Sequence, residues 1–386
     1  MDIFFDQEHL ALRAKVRSWV EKNLISAGEK EADIEEQARQ LVHLLGREGF
    51  TAYVAAKKYG GVRESVQARD LCIFREELAR GSALADTMFA MQALGSYPIT
   101  LAGSEEQKKR YLPAIAKGEA IAAFALTEPE AGSDISAMQT RAVRDGDGYR
   151  LTGVKRFISN AGIARTYTLF ASTDPEKKIK GISAFVVEAD TPGFFLKEKT
   201  SLLSPHPIGV IAFEDCRIPR TRLLGQEGEG VKIALATLDT LRCTVAAAAV
   251  GLAQRALEEA IKYSRGRRQF GQALAEFQAT QFKIADMATE LEAARLLVYQ
   301  AAWASDHRQK DLKQKASMAK LFATEAAQRI VDQALQIHGG MGVVTGTPVE
   351  RLYRDVRALR IYEGTSEIQR LVIAKGLLKE AKEEKQ

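Results

Sequence analysis

The chain has 386 residues, of which 46% are hydrophobic and 27% are charged, and its formal net charge is +5. This length is sufficient for two or three packed units, and the composition is that of an ordinary soluble protein. The basic residues are spread along the chain rather than collected in tracts, so the charge gives no reason to expect nucleic-acid binding. We found no apolar run approaching the roughly 20 residues that a membrane span needs, and we expect no membrane insertion.

The cysteines and histidines are scattered. Cys72, Cys216 and Cys243 are far apart in sequence, and the five histidines show no spacing typical of metal ligands. This pattern argues against a disulfide framework and against a cysteine-based metal site. We therefore expect no metal and a reducing compartment, which is the cytoplasm of a bacterium or archaeon or the mitochondrial matrix.

Residues 1–119 are predicted to form an N-terminal helical domain. Its first segment, Met1–Leu24, mixes acidic and apolar residues, which favours an amphipathic helix over a signal or transit peptide. The residues that mark successive turns of this helix are Leu10, Ala14, Arg17 and Val20. Glycine-containing pairs such as Gly60-Gly61 then separate the predicted helices.

Residues 120–225 are predicted to form a middle β domain, a small barrel or sandwich. Short runs rich in aromatic or β-branched residues occur at Ile121–Leu126, Tyr167–Ala171 and Ile182–Val187. The sequence Asp145-Gly146-Asp147-Gly148 is typical of a tight hairpin turn between two strands.

Residues 226–386 return to helical periodicity. Long helices are predicted from Gly230 onward, at Phe277–His307, at Leu312–His338 and at Ile368–Ala381. Four long helices with short connections favour a C-terminal four-helix bundle. The predicted fold is therefore of the α+β class and mostly helical, with a β-barrel-like domain between two helical domains.

Two segments of the β domain could bind a flat, polar ligand. Phe124–Asp134 follows a predicted strand and contains Thr127, Gly132 and Ser133, whose N–H and hydroxyl groups could bind a ring edge or a phosphate. In Gly153–Asn160 an aromatic residue precedes small polar residues and could stack on a flat cofactor. Each segment, taken alone, also fits an ordinary strand followed by a turn.

Two segments at helix ends have similar alternatives. In Arg265–Gly271, the guanidinium groups of Arg267 and Arg268 could bind a pyrophosphate, or they could form a solvated helix end. In Gln336–Gly342, the glycines could let the backbone approach a ligand, or they could simply end the helix.

The fifth segment, Arg360–Arg370, contains a candidate base. Ser366 and Gln369 are predicted to form a capping box at the start of the last helix. Glu363 lies just outside that helix, before Gly364, where the chain can turn and point a carboxylate into a cavity. The alternative is a surface glutamate near a helix N-terminus, which is common.

The order and spacing of the five segments resemble those of the acyl-CoA dehydrogenase family. Similar stretches also occur at Gly103–Pro113, Phe213–Pro219 and Val250–Arg255, so the resemblance extends from Phe5 to Ala374. It implies an FAD-dependent enzyme with the three domains predicted above and with FAD between the β domain and the bundle. It also implies a homotetramer whose neighbouring subunit completes the FAD site, an acyl-CoA substrate, and electron-transfer flavoprotein as the electron acceptor.

The resemblance also implies roles for particular residues. Those implied for FAD are Phe124, Leu126, Thr127, Gly132, Ser133, Phe157, Ile158, Ser159, Arg267, Phe270, Gln278, Gln336, Gly339, Gly340, Thr365, Ser366 and Glu367. Those implied for the acyl-CoA are Ser133, Asp239, Arg242, Tyr362 and Gly364. Among them, the Ser159 hydroxyl is expected to donate a hydrogen bond near flavin N5.

Glu363 falls on the family's commonest base position. The resemblance implies that Glu363 takes the α proton of the thioester while the β hydride passes to flavin N5, which yields a trans-2-enoyl-CoA. Some family members instead carry the base immediately before the arginine that corresponds to Arg242. Here that position is Leu241, which cannot accept a proton.

Three features depart from the family pattern. Phe157 replaces a usual tryptophan, Ser159 replaces a usual threonine, and Leu202–Gly209 is shorter and richer in proline than its counterpart. Other functions compatible with the same motifs are an acyl-CoA oxidase, although oxidases are usually much longer, an enoyl-CoA reductase, and a non-catalytic scaffold that binds flavin or acyl-CoA.

Overall fold

The structure is a computed structural model, and it describes residues 2–25 and 33–383. Its α-helices are α1 (Gln7–Val20), α2 (Ile34–Arg47), α3 (Ala68–Gly81), α4 (Ala83–Ala102), α5 (Glu105–Ala116), α6 (Gly230–Gly266), α7 (Gln278–Asp306), α8 (Leu312–His338), α9 (Pro348–Val356) and α10 (Ser366–Glu383). Its strands are β1 (Ala122–Ala125), β2 (Arg141–Asp145), β3 (Gly148–Ser159), β4 (Thr166–Ser172), β5 (Ile182–Glu188), β6 (Phe194–Lys199), β7 (Ile208–Pro219), β8 (Leu223–Leu224), β9 (Arg268–Gln269) and β10 (Gln272–Ala273).

The chain divides into two compact units. The first unit consists of Met1–Glu29, Gln67–Asp86 and Asp239–Gln386. The second unit consists of Lys30–Val66 and Thr87–Leu238. The predicted class is confirmed, since a β-sheet region separates two helical regions along the chain.

Helix α1 of the first unit begins at Asp6, whose carboxylate accepts hydrogen bonds from the backbone N–H groups of two residues of the first turn. The helix was predicted, but its predicted face is wrong. Of the four residues expected to mark its turns, only Val20 is buried, and Ala14 is exposed. The buried residues of α1 are His9, Leu12, Val16 and Val20. Arg13 and Arg17 lie beside this face because they pair with carboxylates of α3.

Helix α3 is the most buried helix segment of the first unit, and it carries charges into the core. The Glu76 carboxylate accepts hydrogen bonds from Arg13, at 3.0 Å, and from Arg295, at 2.9 Å. It also accepts one from the Tyr299 hydroxyl at 2.7 Å. Each oxygen of this buried carboxylate accepts at least one hydrogen bond. The network therefore joins α1, α3 and α7 without leaving the Glu76 charge unpaired in the core.

The four predicted long helices are confirmed as α6, α7, α8 and α10. Helix α6 approaches α3 closely, since a Cβ added at Gly251 would lie 2.1 Å from the Glu76 carbonyl oxygen. The sulfurs of Cys72 and Cys243, distant in sequence, come within 3.9 Å of each other there. Among the described residues, α6 is also the one helix long and apolar enough to cross a membrane, but 72% of its most apolar window is buried, as in a core helix.

The second unit contains one eight-stranded sheet. Seven of its strands follow the order β6-β7-β3-β2-β4-β5-β8, and β1 pairs in parallel with β4. The three predicted strands are confirmed as β1, β4 and β5. The predicted hairpin is also confirmed, because Asp145 pairs with Gly148 across the two-residue turn from β2 to β3, where Gly146 has a φ of 59°.

Candidate active site

The segment after β1 in the second unit is held by a buried ion pair. The Lys155 ammonium group donates to the carbonyl oxygen of Leu126 at 3.0 Å and to the Glu128 carboxylate at 2.8 Å. Glu128 in turn accepts hydrogen bonds from the backbone N–H groups of Gln139 and Thr140. Burial lowers the pKa of Lys155 to about 8, although the Glu128 charge opposes this change. The pair fixes the segment that contains the predicted cofactor residues.

A β-bulge in β3 positions Phe157. Pairing with β7 shifts register between Lys155 and Ile158, and Phe157 has a φ of 56°. Its ring is 48% exposed, and the Arg156 guanidinium lies 4.9 Å from the ring centroid. The next side chain, Ile158, is buried, so only its backbone could meet a ligand. The bulge therefore turns an aromatic ring outward from an otherwise regular strand.

The Ser159 hydroxyl lies 2.9 Å from Nε2 of His206. Burial lowers the pKa of His206, which favours the neutral ring, and its Nδ1 lies 3.3 Å from the carbonyl oxygen of Ser204. Because a carbonyl can only accept, Nδ1 carries the proton and Nε2 accepts from the Ser159 hydroxyl. The single hydroxyl proton of Ser159, expected to point toward flavin N5, is thus directed to His206.

The remaining predicted residues of the second unit flank the same region. Phe124, Leu126 and Thr127 are half-buried, and the carbonyl of Thr127 accepts a hydrogen bond from the backbone N–H of Arg156 at 2.9 Å. Gly132 and Ser133 are exposed. The backbone hydrogen bond brings the first two predicted segments side by side.

Glu363, in the first unit, lies in a turn with an uncommon backbone conformation. Its φ is 53°, and that of the following Gly364 is 95°. A side chain at Gly364 would be strained by this φ, and its Cβ would lie 2.6 Å from Nε2 of Gln369, which would have to move. A non-glycine residue with a positive φ persists only where its surroundings hold it, and such residues cluster at functional sites.

The Glu363 carboxylate is surrounded by charged groups on other helices. Its Oε2 atom is buried and has no hydrogen-bond partner. Burial raises the pKa of Glu363, and nearby cations oppose that rise. The cations are Arg75 on α3, Arg242 on α6 and Lys320 on α8. A carboxylate with a raised pKa and a free oxygen is suited to accept a proton.

The predicted substrate residues Asp239 and Arg242 pair with each other at 2.7 Å on α6. Arg242 is nearly fully buried, and its Nε also has no partner. Leu241, the alternative base position, is buried and apolar. Tyr362 adjoins Glu363, and burial raises the pKa of its hydroxyl.

The predicted capping box of α10 is wrong by one residue. Thr365 caps the helix, since its hydroxyl accepts from the backbone N–H of Ile368 at 3.3 Å. The Ser366 hydroxyl instead donates to Glu325 at 2.6 Å, and the Gln369 side chain donates to the carbonyl oxygen of Gly364 at 2.8 Å. Thr365 is half-buried, Ser366 is buried and Glu367 is exposed.

The other predicted residues of the first unit lie where α6 and α8 end. Tyr263 stacks on His338 with 4.3 Å between ring centroids, which brings the Arg265–Gly271 and Gln336–Gly342 segments together. The residues of this group that are exposed are Arg267, Phe270, Gln278, Gln336, Gly339 and Gly340. His338 closes α8, and its Nδ1 lies 2.8 Å from the carbonyl oxygen of Ala334. Among the described residues, no cluster of three or more metal-ligating side chains occurs.

Three sequence profiles of one family match this chain, and they are described as the N-terminal, middle and C-terminal domains of acyl-CoA dehydrogenase. They match residues 6–119, 123–216 and 228–378. The chain belongs to the acyl-CoA dehydrogenase family.

Full-length relatives agree with this assignment. Probable acyl-CoA dehydrogenase FadE25 of Mycobacterium tuberculosis is 42% identical over 98% of this chain and 97% of its own length. Caffeyl-CoA reductase-Etf complex subunit CarC of Acetobacterium woodii is 40% identical over 98% of this chain and 100% of its own length.

Solved structures of similar proteins have the same fold. Butyryl-CoA dehydrogenase from Megasphaera elsdenii has a TM-score of 0.90 and 36% identity, and the alignment covers 97% of this chain and 99% of that one. An acyl-CoA dehydrogenase from Bacillus anthracis complexed with FAD has a TM-score of 0.90 and 31% identity, covering 99% of this chain and 68% of that one. This acyl-CoA dehydrogenase is therefore an oxidoreductase and an FAD-dependent flavoprotein.

The residues present fit FAD. In the second unit, the exposed Phe157 ring offers a stacking surface, and an added Cβ at Gly132 would meet no atom within 4 Å, so a ligand can approach the backbone there. In the first unit, the exposed Arg267 supplies a guanidinium group suited to phosphate.

Sequence reasoning missed three of the charged residues that surround Glu363 in this acyl-CoA dehydrogenase. Arg75 and Asp86 form a bidentate pair, at 2.8 and 2.9 Å, and both are buried. Lys320 is fully buried on α8. In the sequence, each of these residues is recognisable only as a charged residue within an apolar helical face. Ordinary buried ion pairs give the same pattern, so it could not by itself identify a site.

Proposed function

We propose that this enzyme introduces a double bond between the α and β carbons of an acyl-CoA thioester, with Glu363 as the base. The observation that carries the proposal is the unpartnered, buried Oε2 atom of Glu363 on a turn with positive φ. A surface glutamate near a helix start would not be buried, and a structural glutamate would have its oxygens paired.

A residue of this chain provides the acceptor for the α proton of the substrate. Glu363 takes the α proton as the α C–H bond breaks and its electron pair forms the C=C bond. Burial raises the pKa of Glu363, which makes it a stronger base, and the cations beside it oppose that rise. Bound FAD supplies the acceptor for the hydride that leaves the β carbon. The residues proposed to hold FAD are the exposed or half-buried ones of the second unit at 124–133 and 157–159. Those of the first unit at 267–278 are proposed to reach the FAD of a neighbouring subunit.

The electron acceptor that we propose is electron-transfer flavoprotein. The name of the CarC relative, a subunit of a caffeyl-CoA reductase-Etf complex, supports this partner. The same name supports a second candidate function, reduction of an enoyl-CoA, which uses the same residues in the reverse direction. We propose the bacterial cytoplasm as the location, since the named relatives given above are bacterial.

The proposed reaction is tested by anaerobic addition of acyl-CoA esters to the FAD-loaded enzyme. The esters to be added are butanoyl-, isobutanoyl-, octanoyl- and palmitoyl-CoA. We expect at least one of them to bleach the flavin absorbance band after mixing. Because loss of the α proton and of the β hydride together form the C=C bond, bleaching should accompany formation of the enoyl-CoA. If no saturated ester bleaches the flavin but an enoyl-CoA restores the absorbance of chemically reduced flavin, the reductase is favoured. Binding of every ester without bleaching would favour a scaffold.

We also propose a homotetramer whose neighbouring subunit contacts the turn between β9 and β10. Phe270 in this turn is 94% exposed with a φ of 51°, and Phe282 on α7 is also exposed. Exposed aromatic side chains held on a strained turn are typical of interaction surfaces.

Phe270→Asp is therefore expected to weaken association between subunits and to lower the retention of FAD, because a charge would be buried in the interface. Sedimentation velocity and the flavin-to-protein absorbance ratio after dialysis measure the two effects. Val143→Asp, which changes an exposed apolar residue of the second unit, is the control and should alter neither. An unchanged assembly in Phe270→Asp would exclude this surface.

A further inference from the structure

Lys320 is one of the cations that oppose the rise in the pKa of Glu363, and it also contacts the turn that carries Glu363. Its side chain is fully buried, and its ammonium group donates to the carbonyl oxygen of Tyr362 at 2.8 Å and to that of Gly364 at 2.5 Å. These carbonyls belong to the residues immediately before and after Glu363. The ammonium group of this one residue of α8 thus donates hydrogen bonds to the backbone on both sides of the candidate base.

The backbone of this turn has a strained conformation, which persists only if neighbouring groups hold it. Glu363 and Gly364 both have positive φ, at 53° and 95°, and a non-glycine residue in this region is strained. The Gly364 carbonyl accepts a second hydrogen bond, from the Gln369 side chain at 2.8 Å. Lys320 also donates to the Tyr362 carbonyl, so it holds two peptide planes of the turn, the one between Tyr362 and Glu363 and the one between Gly364 and Thr365.

The charges around Glu363 come from four helices. Arg75 and Asp86 belong to α3 and α4, Arg242 belongs to α6, and Lys320 belongs to α8. Arg75 is engaged by the Asp86 carboxylate and Arg242 by Asp239. Lys320 also interacts with Glu325 and Glu367, but its hydrogen bonds go to backbone carbonyls, which carry no charge. Lys320 therefore differs from Arg75 and Arg242, because its hydrogen bonds join it to the turn that carries Glu363 rather than to a carboxylate.

We propose that Lys320 is a positioning residue, which holds the Glu363 turn in its strained conformation and stabilises the ionised carboxylate. The inference rests on the proposed role of Glu363 as the base and deepens it. The aliphatic part of Lys320 is buried, and the ammonium group acts on the reaction only through Glu363. A lysine with only a structural role would affect stability without altering the ionisation of Glu363.

Lys320→Met tests the proposal, because it keeps the buried aliphatic length and removes both hydrogen bonds and the charge. We expect the rate of flavin reduction per bound flavin to fall by about 10-fold to 10²-fold, since a small displacement of a reacting group has an effect of this size. We expect KM to change much less than kcat. Loss of a neighbouring cation raises the pKa of a carboxyl, so the rise of activity with pH should move to higher pH.

The matched control is Thr324→Val, one turn along α8. Thr324 is fully buried, and its hydroxyl donates to the carbonyl oxygen of Lys320 at 2.8 Å, but it does not touch the turn. We expect the control to keep the wild-type pH profile and rate per flavin. Lys320→Gln, which keeps a donor without the charge, is used if the methionine variant does not fold, and its pH profile should also shift upward.

The outcomes separate the two proposals. If the best acyl-CoA of the panel bleaches wild-type enzyme but not Glu363→Gln, the role of Glu363 stands. If Lys320→Met or Lys320→Gln then has the wild-type rate per flavin and pH profile, the role of Lys320 is overturned. Equal losses in Lys320→Met and Thr324→Val would overturn it too, because they would show damage to α8 as a whole. Failure of every acyl-CoA to bleach wild-type enzyme would refute the function itself.

Discussion

Replacing Glu363 by glutamine is expected to lower the rate of flavin reduction by about 10²–10⁴-fold, the usual contribution of a positioned base. The amide has the shape of the carboxylate but cannot accept a proton under these conditions. The residues proposed to hold FAD are unchanged, so the variant should remain yellow. Stopped-flow absorbance after mixing with an acyl-CoA that reduces the wild-type enzyme measures the rate.

Glu350→Gln provides the comparison for Glu363→Gln. Glu350 lies on α9 in the same unit and pairs with Arg354, outside the proposed site. Its replacement removes one carboxylate from the surface of the first unit and should leave flavin reduction unchanged. Near-normal reduction in Glu363→Gln would exclude Glu363 as the base. Loss of FAD from that variant would instead place the residue in cofactor binding.

Asp86→Ala is expected to lower the free energy of unfolding by about 3–5 kcal/mol, as measured for broken buried ion pairs. Arg75 donates through Nε and Nη2 to the two Asp86 oxygens and through Nη1 to Thr244 at 3.1 Å. Both members of the pair are buried, so the substitution would strand a guanidinium group in the core. Urea unfolding followed by circular dichroism measures the change.

Two further variants test whether the unpaired Arg75 causes the expected drop in the free energy of unfolding. Asp174→Ala removes an exposed pair with Lys177 and should have a much smaller effect, since exposed pairs are screened by water. The double variant Arg75→Met/Asp86→Leu removes the stranded charge and should recover much of the loss. A loss in Asp86→Ala no larger than that in Asp174→Ala would show that the buried pair does not stabilise the first unit.

The sequence predicted the elements well where the periodicity was long. Leu312–His338 was predicted with its observed bounds, and the hairpin at Asp145–Gly148 followed from its two-residue glycine turn. The turn at Glu363 and Gly364 was expected from the glycine, whereas the role of Glu363 as the base was implied by the family resemblance and stays a prediction. These features depend on neighbours in the chain, which a sequence displays directly.

The features that the sequence did not predict depend on contacts between residues that are distant in the chain. Arg75 and Lys320 lie far from Glu363 in sequence, so no local pattern could place them beside it. The bulge at Phe157 arises from pairing between β3 and β7, and the acceptor of the Ser159 hydroxyl, His206, is set by folding of the chain after β6. The capping of α10 was misjudged by one residue because Thr365 and Ser366 are both good caps, and Glu325 engages the second.

Single-turnover reduction by an acyl-CoA deuterated at the α carbon would test the central claim most directly. If Glu363 removes a proton from that carbon while the flavin is reduced, the absorbance band should bleach several-fold more slowly with the deuterated ester than with the ordinary one. Bleaching at the same rate with both esters would contradict the claim, because the α C–H bond would then not break in the step that reduces the flavin.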